Sequence, residues 1–181
     1  MKFAKLALVV PALLLLSSGP LFASAITTDG AWYEFAFGGP GSFATVGTGT
    51  TPTTNPTSDQ NVAPPWTFSG PATLRVLDLF ISSDRFRIFD NAVLVGDTSV
   101  PVSGGACAND IGCALADLRH YSFGNFNLGA GSHSITIQQL EGTSGAAVLS
   151  ASAAAVPEPA SMSLLSGALL GLGLLRRYRR S

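Results

Sequence analysis

Arg85-Phe86-Arg87-Ile88-Phe89 alternates polar and apolar side chains, Asp90-Asn91 interrupts the run, and Ala92 to Val95 resumes it. A period of two is what a pleated strand presents to a core and to solvent, and an Asp-Asn break between two such runs predicts a hairpin. The same texture continues on both sides. Ala31 to Phe37 is a β-prone opening run, and Leu74 to Ile81 is apolar except at Arg75 and Asp78, predicting a strand buried on both faces. Tyr121 to Leu128 and His133 to Leu140 read as two strands joined by a Gly129-Ala130-Gly131 turn, and Ala146 to Ala155 closes the region after a break at Glu141 to Gly145. Between residues 26 and 156 there is no long amphipathic helix, and Ala114 to Leu118 allows one helical turn. The expectation is an all-β fold: a single, jelly-roll-like β-sandwich.

The two ends have a different texture. Lys2 and Lys5 precede an apolar run from Leu6 to Leu16, and Ala23-Ser24-Ala25 is a small-x-small cleavage site. Residues 1–25 therefore read as a signal peptide handled by the Sec export machinery, with cleavage at Ala23 and Ala25 starting the mature chain at Ile26. Pro11 and Ser17-Ser18-Gly19-Pro20 break the run short of a membrane span. At the other end, Pro157-Glu158-Pro159 precedes an apolar run from Ala160 to Leu175 and a basic tail, Arg176, Arg177, Arg179 and Arg180. The prolines hold the tripeptide extended and leave Glu158 exposed for recognition. The apolar run would make about 24 Å of helix against a hydrocarbon core of about 30 Å, a marginal span. Gly167, Gly171 and Gly173 weaken it further. The four arginines stay cytoplasmic by the positive-inside rule, which places residues 26–156 outside the inner membrane.

Tripeptide, helix and basic tail, in that order at the C-terminus, resemble the PEP-CTERM sorting signal. The resemblance implies that residues 156–181 are read by an exosortase. It also implies a membrane-held intermediate and sorting to the cell surface or extracellular matrix of a Gram-negative bacterium. A second resemblance rests on Asp78-Leu79-Phe80, Asp84-Arg85-Phe86, Asp90-Asn91 and Phe126-Asn127-Leu128-Gly129-Ala130-Gly131-Ser132-His133-Ser134-Ile135. These are similar to secreted bacterial β-sandwich domains carried on PEP-CTERM tails. That likeness implies a fold over about residues 66–150 and no particular activity.

Residues 26–155 are thus expected to be one exported domain. Residues 26–156 carry ten acidic groups against four arginines and no lysine, a net charge near −6. That argues against nucleic acid as a partner. Residues 38–61, rich in Gly, Thr, Ser, Pro and Asn, read as a long flexible loop. Cys107 and Cys113 are close enough in sequence for a disulfide in an oxidising compartment; a metal pair or free thiols are the alternatives.

Chemistry is sparsely marked. His120 and His133 lie at strand ends with no G-x-S-x-G, H-E-x-x-H or paired-cysteine zinc motif to recruit them. Asp84, Asp90, Asn91 and Asp97 gather oxygen around the hairpin, which calcium favours, although no known loop spacing is met. Trp32, Tyr33 and Trp66 would make a sugar-stacking platform if exposed and core if buried. No catalytic residue, cofactor or metal ligand is assigned. The expected role is structural, adhesive or carbohydrate-binding, with extracellular polysaccharide as a partner. The alternatives are a secreted polysaccharide hydrolase, with Asp78, Asp84, Asp90 and Asp97 as its carboxylates, and a plain single-span envelope protein.

Overall fold

The computed structural model describes residues 23–49 and 62–154. The expected signal helix, C-terminal helix, Pro157-Glu158-Pro159, the arginine tail and residues 50–61 lie outside them. Among the described residues no helix is long and apolar enough to cross a membrane.

The chain runs β1 (Ser24–Ala25), β2 (Asp29–Phe37), β3 (Thr45–Val46), β4 (Trp66–Asp78), β5 (Arg85–Asp90) and β6 (Val93–Asp97). It then forms the short helix α1 (Ile111–Ala116) and returns through β7 (Phe123–Glu141) and β8 (Gly145–Ala153). The fold is all-β. The strands make one sheet in the order β3-β2-β8-β4-β7-β5-β6, antiparallel throughout except that β1 lies parallel on β4.

Alternation decides which face is buried. Phe35 and Phe37 from β2, Trp66, Leu74 and Val76 from β4, Phe86 and Ile88 from β5, Ile135 and Ile137 from β7 and Leu149 from β8 converge on one core. Phe86 sets its ring edge-on to Phe35 and Phe37, at 5.5 and 4.9 Å between centroids. The end of β4 is buried on both sides, as its continuous apolar run predicts. Leu77 turns to the opposite face, where Trp32, Val148, Tyr121, Ile111 and Ala114 form a second cluster under α1.

The sheet curls around the first core, and residues 41–46 tie it together. Gly41 N donates to Gln139 O, Ala44 N to Ile137 O and Gln139 N to Ser42 O, while Thr45 and Val46 pair with Ala36 and Phe35 of β2. One short segment thus bonds to β7 on one side and β2 on the other. This corrects the expectation of a flexible loop for its described part. Its composition offers little apolar area, but ordering comes from backbone hydrogen bonds, and Ser42 Oγ accepts two more from Gly38 and Gly39.

A second correction concerns Gly129-Ala130-Gly131. These residues do not turn the chain; they sit inside the 19-residue β7. The register slips by one between Gly70↔Gly131 and Ala72↔Leu128, so β7 bulges opposite Gly70-Pro71. Gly131, at φ +128°, absorbs the bend. The hairpin forms as expected, with its turn on Asn91 and Ala92, both at positive φ, and a bulge in β6. The helical turn comes slightly earlier than expected, and Asp110 caps it by accepting from Cys113 N at 2.9 Å.

Candidate functional site

Strand β4 ends at Asp78 and the chain doubles back to β5 through residues 79–84. Phe80 and Ser83 take positive φ, at 65° and 118°. Phe80 N is held by Ala108 O and Ser82 Oγ accepts from Gly104 and Gly105, so the connection is tied to the loop that carries α1. Tight reversal brings the first and last carboxylates of the segment together. Asp84 N donates to Asp78 Oδ2 at 3.3 Å, and both side chains are buried, at 0% and 2% exposure.

Two further elements close on this pair. Asp84 Oδ1 accepts from Thr143 N at 2.7 Å, in the turn between β7 and β8, and from Gln139 Nε2 at 2.9 Å. The same amide nitrogen donates to Thr143 O at 2.6 Å and Glu141 O at 3.2 Å. Gly142 is required beside them: it has φ +104°, and a Cβ there would strike the Asp84 carboxylate. Among the described residues, Asp78 Oδ1 and Gln139 Oε1 are buried without a hydrogen-bond partner. No arginine, lysine or histidine makes an ion pair with either aspartate among the described residues. Burial, then repulsion from Asp84, pushes the Asp78 carboxyl up to about 9. Burial pushes Asp84 up to about 6, against the hydrogen bonds from Thr143 and Gln139. Beside this knot an open depression of ≈ 420 Å³ is lined by Ala36, Phe37, Phe80, Ser144 and Gly145.

The other residues singled out from sequence are dispersed. Asp97 grips Arg87 in a two-point pair at 2.8 and 3.0 Å and lies 3.5 Å from Arg85, which also meets Glu141. Hydrogen bonding to Arg87 lowers the Asp97 carboxyl below its ordinary range. Asp90 meets His133 Nδ1 at 2.7 Å, while His133 Nε2 lies 3.0 Å from Gly129 O and its ring packs on Phe68. Asn91 caps Ser132 O. The hairpin oxygens considered for calcium therefore face separate partners. Among the described residues, no three His, Cys, Asp or Glu side chains are grouped to hold a metal ion. His120 pairs with its neighbour Asp117 at 2.8 Å.

Trp32, Tyr33 and Trp66 are buried, so they form core and not a platform. Cys107 and Cys113 form a disulfide. The Ala23-Ser24-Ala25 stretch before the expected cut is itself structured: Ser24 N donates to Pro65 O and Ile26 N to Thr67 O, both at 2.9 Å. Sequence reasoning had Asp78 and Asp84 as possible hydrolase carboxylates, and Asp84 also among the hairpin oxygens considered for calcium, without pairing the two. It missed Gln139, which lies 55 residues from Asp84 in a strand with no motif to mark it.

A scan against protein-family models finds the PEP-CTERM protein-sorting motif at residues 155–180. Searches of curated proteins and of solved structures returned no match. The motif marks the chain as an exported protein targeted to exosortase and sorted to the cell surface.

Proposed function

We propose that the sheet domain carried by this sorting signal works at the cell surface or in the extracellular matrix by binding or scaffolding, in a structural, adhesive or carbohydrate-binding role, and not by catalysis. The observation that carries the reading is the internal engagement of its acid and imidazole groups. Asp97 is held by arginine, Asp90 by His133, His120 by Asp117, and the Asp78–Asp84 pair is buried. A glycosidase needs two carboxylates about 5 to 10 Å apart with a sugar between them. A pair bonded across a tight reversal and shielded from solvent leaves no place for that sugar. The remainder of the sorting reading belongs to the same proposal: Sec export, cleavage after Ala25, and a membrane-held intermediate released by exosortase.

The test uses protein recovered from its native surface, incubated with the producer's own exopolysaccharide while retention and reducing-end release are both followed. Retention without new reducing ends is the expected result. Turnover that disappears in Asp84→Asn would replace this reading with a hydrolase. Sorting is tested separately by Glu158→Ala, which should leave export intact and lower surface release at least severalfold. Unchanged release would remove the tripeptide from the recognition event.

A further inference from the structure

A carboxyl taken wholly out of water either keeps its proton or is matched by a basic partner or a metal, because an uncompensated charge costs several kcal/mol. Among the described residues Asp78 and Asp84 have no basic partner, and the two of them adjoin. Gln139, 1% exposed, supplies an independent observation. Three acceptors around its Nε2 (Asp84 Oδ1, Glu141 O and Thr143 O) fix which end of the amide is nitrogen. Its Oε1, on the amide whose nitrogen bonds Asp84, is buried without a donor among the described residues, and so is Asp78 Oδ1. Bare oxygens on two buried side chains linked through Asp84 leave room for a positive group that the described residues do not supply.

We propose that Asp78, Asp84 and Gln139 are side-chain ligands of one hard divalent cation of the calcium class. The donors are all oxygen, which suits calcium and not the softer metals that seek thiolate or imidazole. With the Asp78 proton released to solvent on binding, two carboxylates balance the double charge, and the neutral amide oxygen adds a third donor. The approach runs from the depression beside Phe80 and Gly145: a Cβ built on Gly145 would lie 3.8 Å from Asp84 Oδ2. The cation would tie the β4–β5 connection to the β7–β8 turn, so binding stabilises the sheet at the place where its two longest strands end. Asp90 and Asp97 take no part, being engaged with His133 and Arg87. An affinity in the range of extracellular calcium modules, on the order of 10⁻⁴ to 10⁻³ M, fits three side-chain donors. The site is independent of whether the domain binds polysaccharide.

The full chain, stripped with chelator and returned to 10 mM calcium chloride, should melt roughly 5 °C or more higher, and titration calorimetry should count one ion. Asp84→Asn and Asp78→Asn should each lose the response. Asp117→Asn, at the exposed His120 pair, should keep it. Absence of both shift and heat in the wild-type chain would overturn the proposal. So would a response that survives in both aspartate variants, since the ion would then sit on surface acids. Should those variants not fold, manganese added to the wild-type chain decides the matter. Its paramagnetic broadening should strike the amide signals of Asp84 and Thr143 first, and broadening centred elsewhere would refute the site.

Discussion

Gly70 sits where β4 crosses the β7 bulge, and a methyl group there would collide with Gly129 O and the His133 ring. Neither neighbour is free to yield, because His133 is fixed at both ring nitrogens by Asp90 and Gly129. Gly70→Ala should therefore destabilise by about 3 kcal/mol, at the upper end of overpacking costs, as read from denaturant unfolding. A second residue-scale prediction concerns acid. The Asp97 carboxyl is lowered by Arg87, so its unfolded value is the higher one. The stability it contributes is complete above the ordinary carboxylate value of 3.8 and is lost as pH falls through the lower folded value. Asp97→Asn should cost on the order of 1 kcal/mol at neutral pH, in keeping with a partly exposed two-point pair. Its stability should also fall less steeply than the wild type's below about pH 4.

Among the elements, the β5–β6 hairpin was legible because everything that defines it is local: alternation on both sides and turn chemistry between them. β7 was not. Gly129-Ala130-Gly131 has the composition of a turn, and what keeps it in a strand is the complementary Gly70-Pro71 irregularity of β4, about sixty residues earlier in the chain. Register is a property of two segments, and one sequence window holds only half of it. Gln139 was hidden for the same reason: an alternating strand marks it as inward-facing without revealing that Asp84 waits there. The disulfide, by contrast, depends on spacing alone and was readable as one of three outcomes. It clamps α1 against the second apolar cluster, with Cys107 N donating to Tyr121 Oη at 2.7 Å. Replacing both cysteines by serine should lower stability by about 2 kcal/mol in the loop-closure picture, and reduction of the wild-type protein should give a similar change in its unfolding midpoint.

For the whole molecule, a curled sheet joined through residues 41–46 has few free strand edges; β6 is the longer of the two ends of the strand order. An exported protein that must cross a crowded envelope gains from this, because open edges invite pairing with other chains. The short strand β1 has a consequence of another kind. Ser24 and Ala25, the last residues before the expected cut, lie in register with Trp66 and Thr67 of β4, and Ile26 is pinned to Thr67 O. A peptidase needs that stretch as a loose ribbon, yet the finished sheet enrols it as a strand. The expected cleavage and the finished sheet compete for the same residues, so the schedule matters: a cut after Ala25 would have to come before β4 settles.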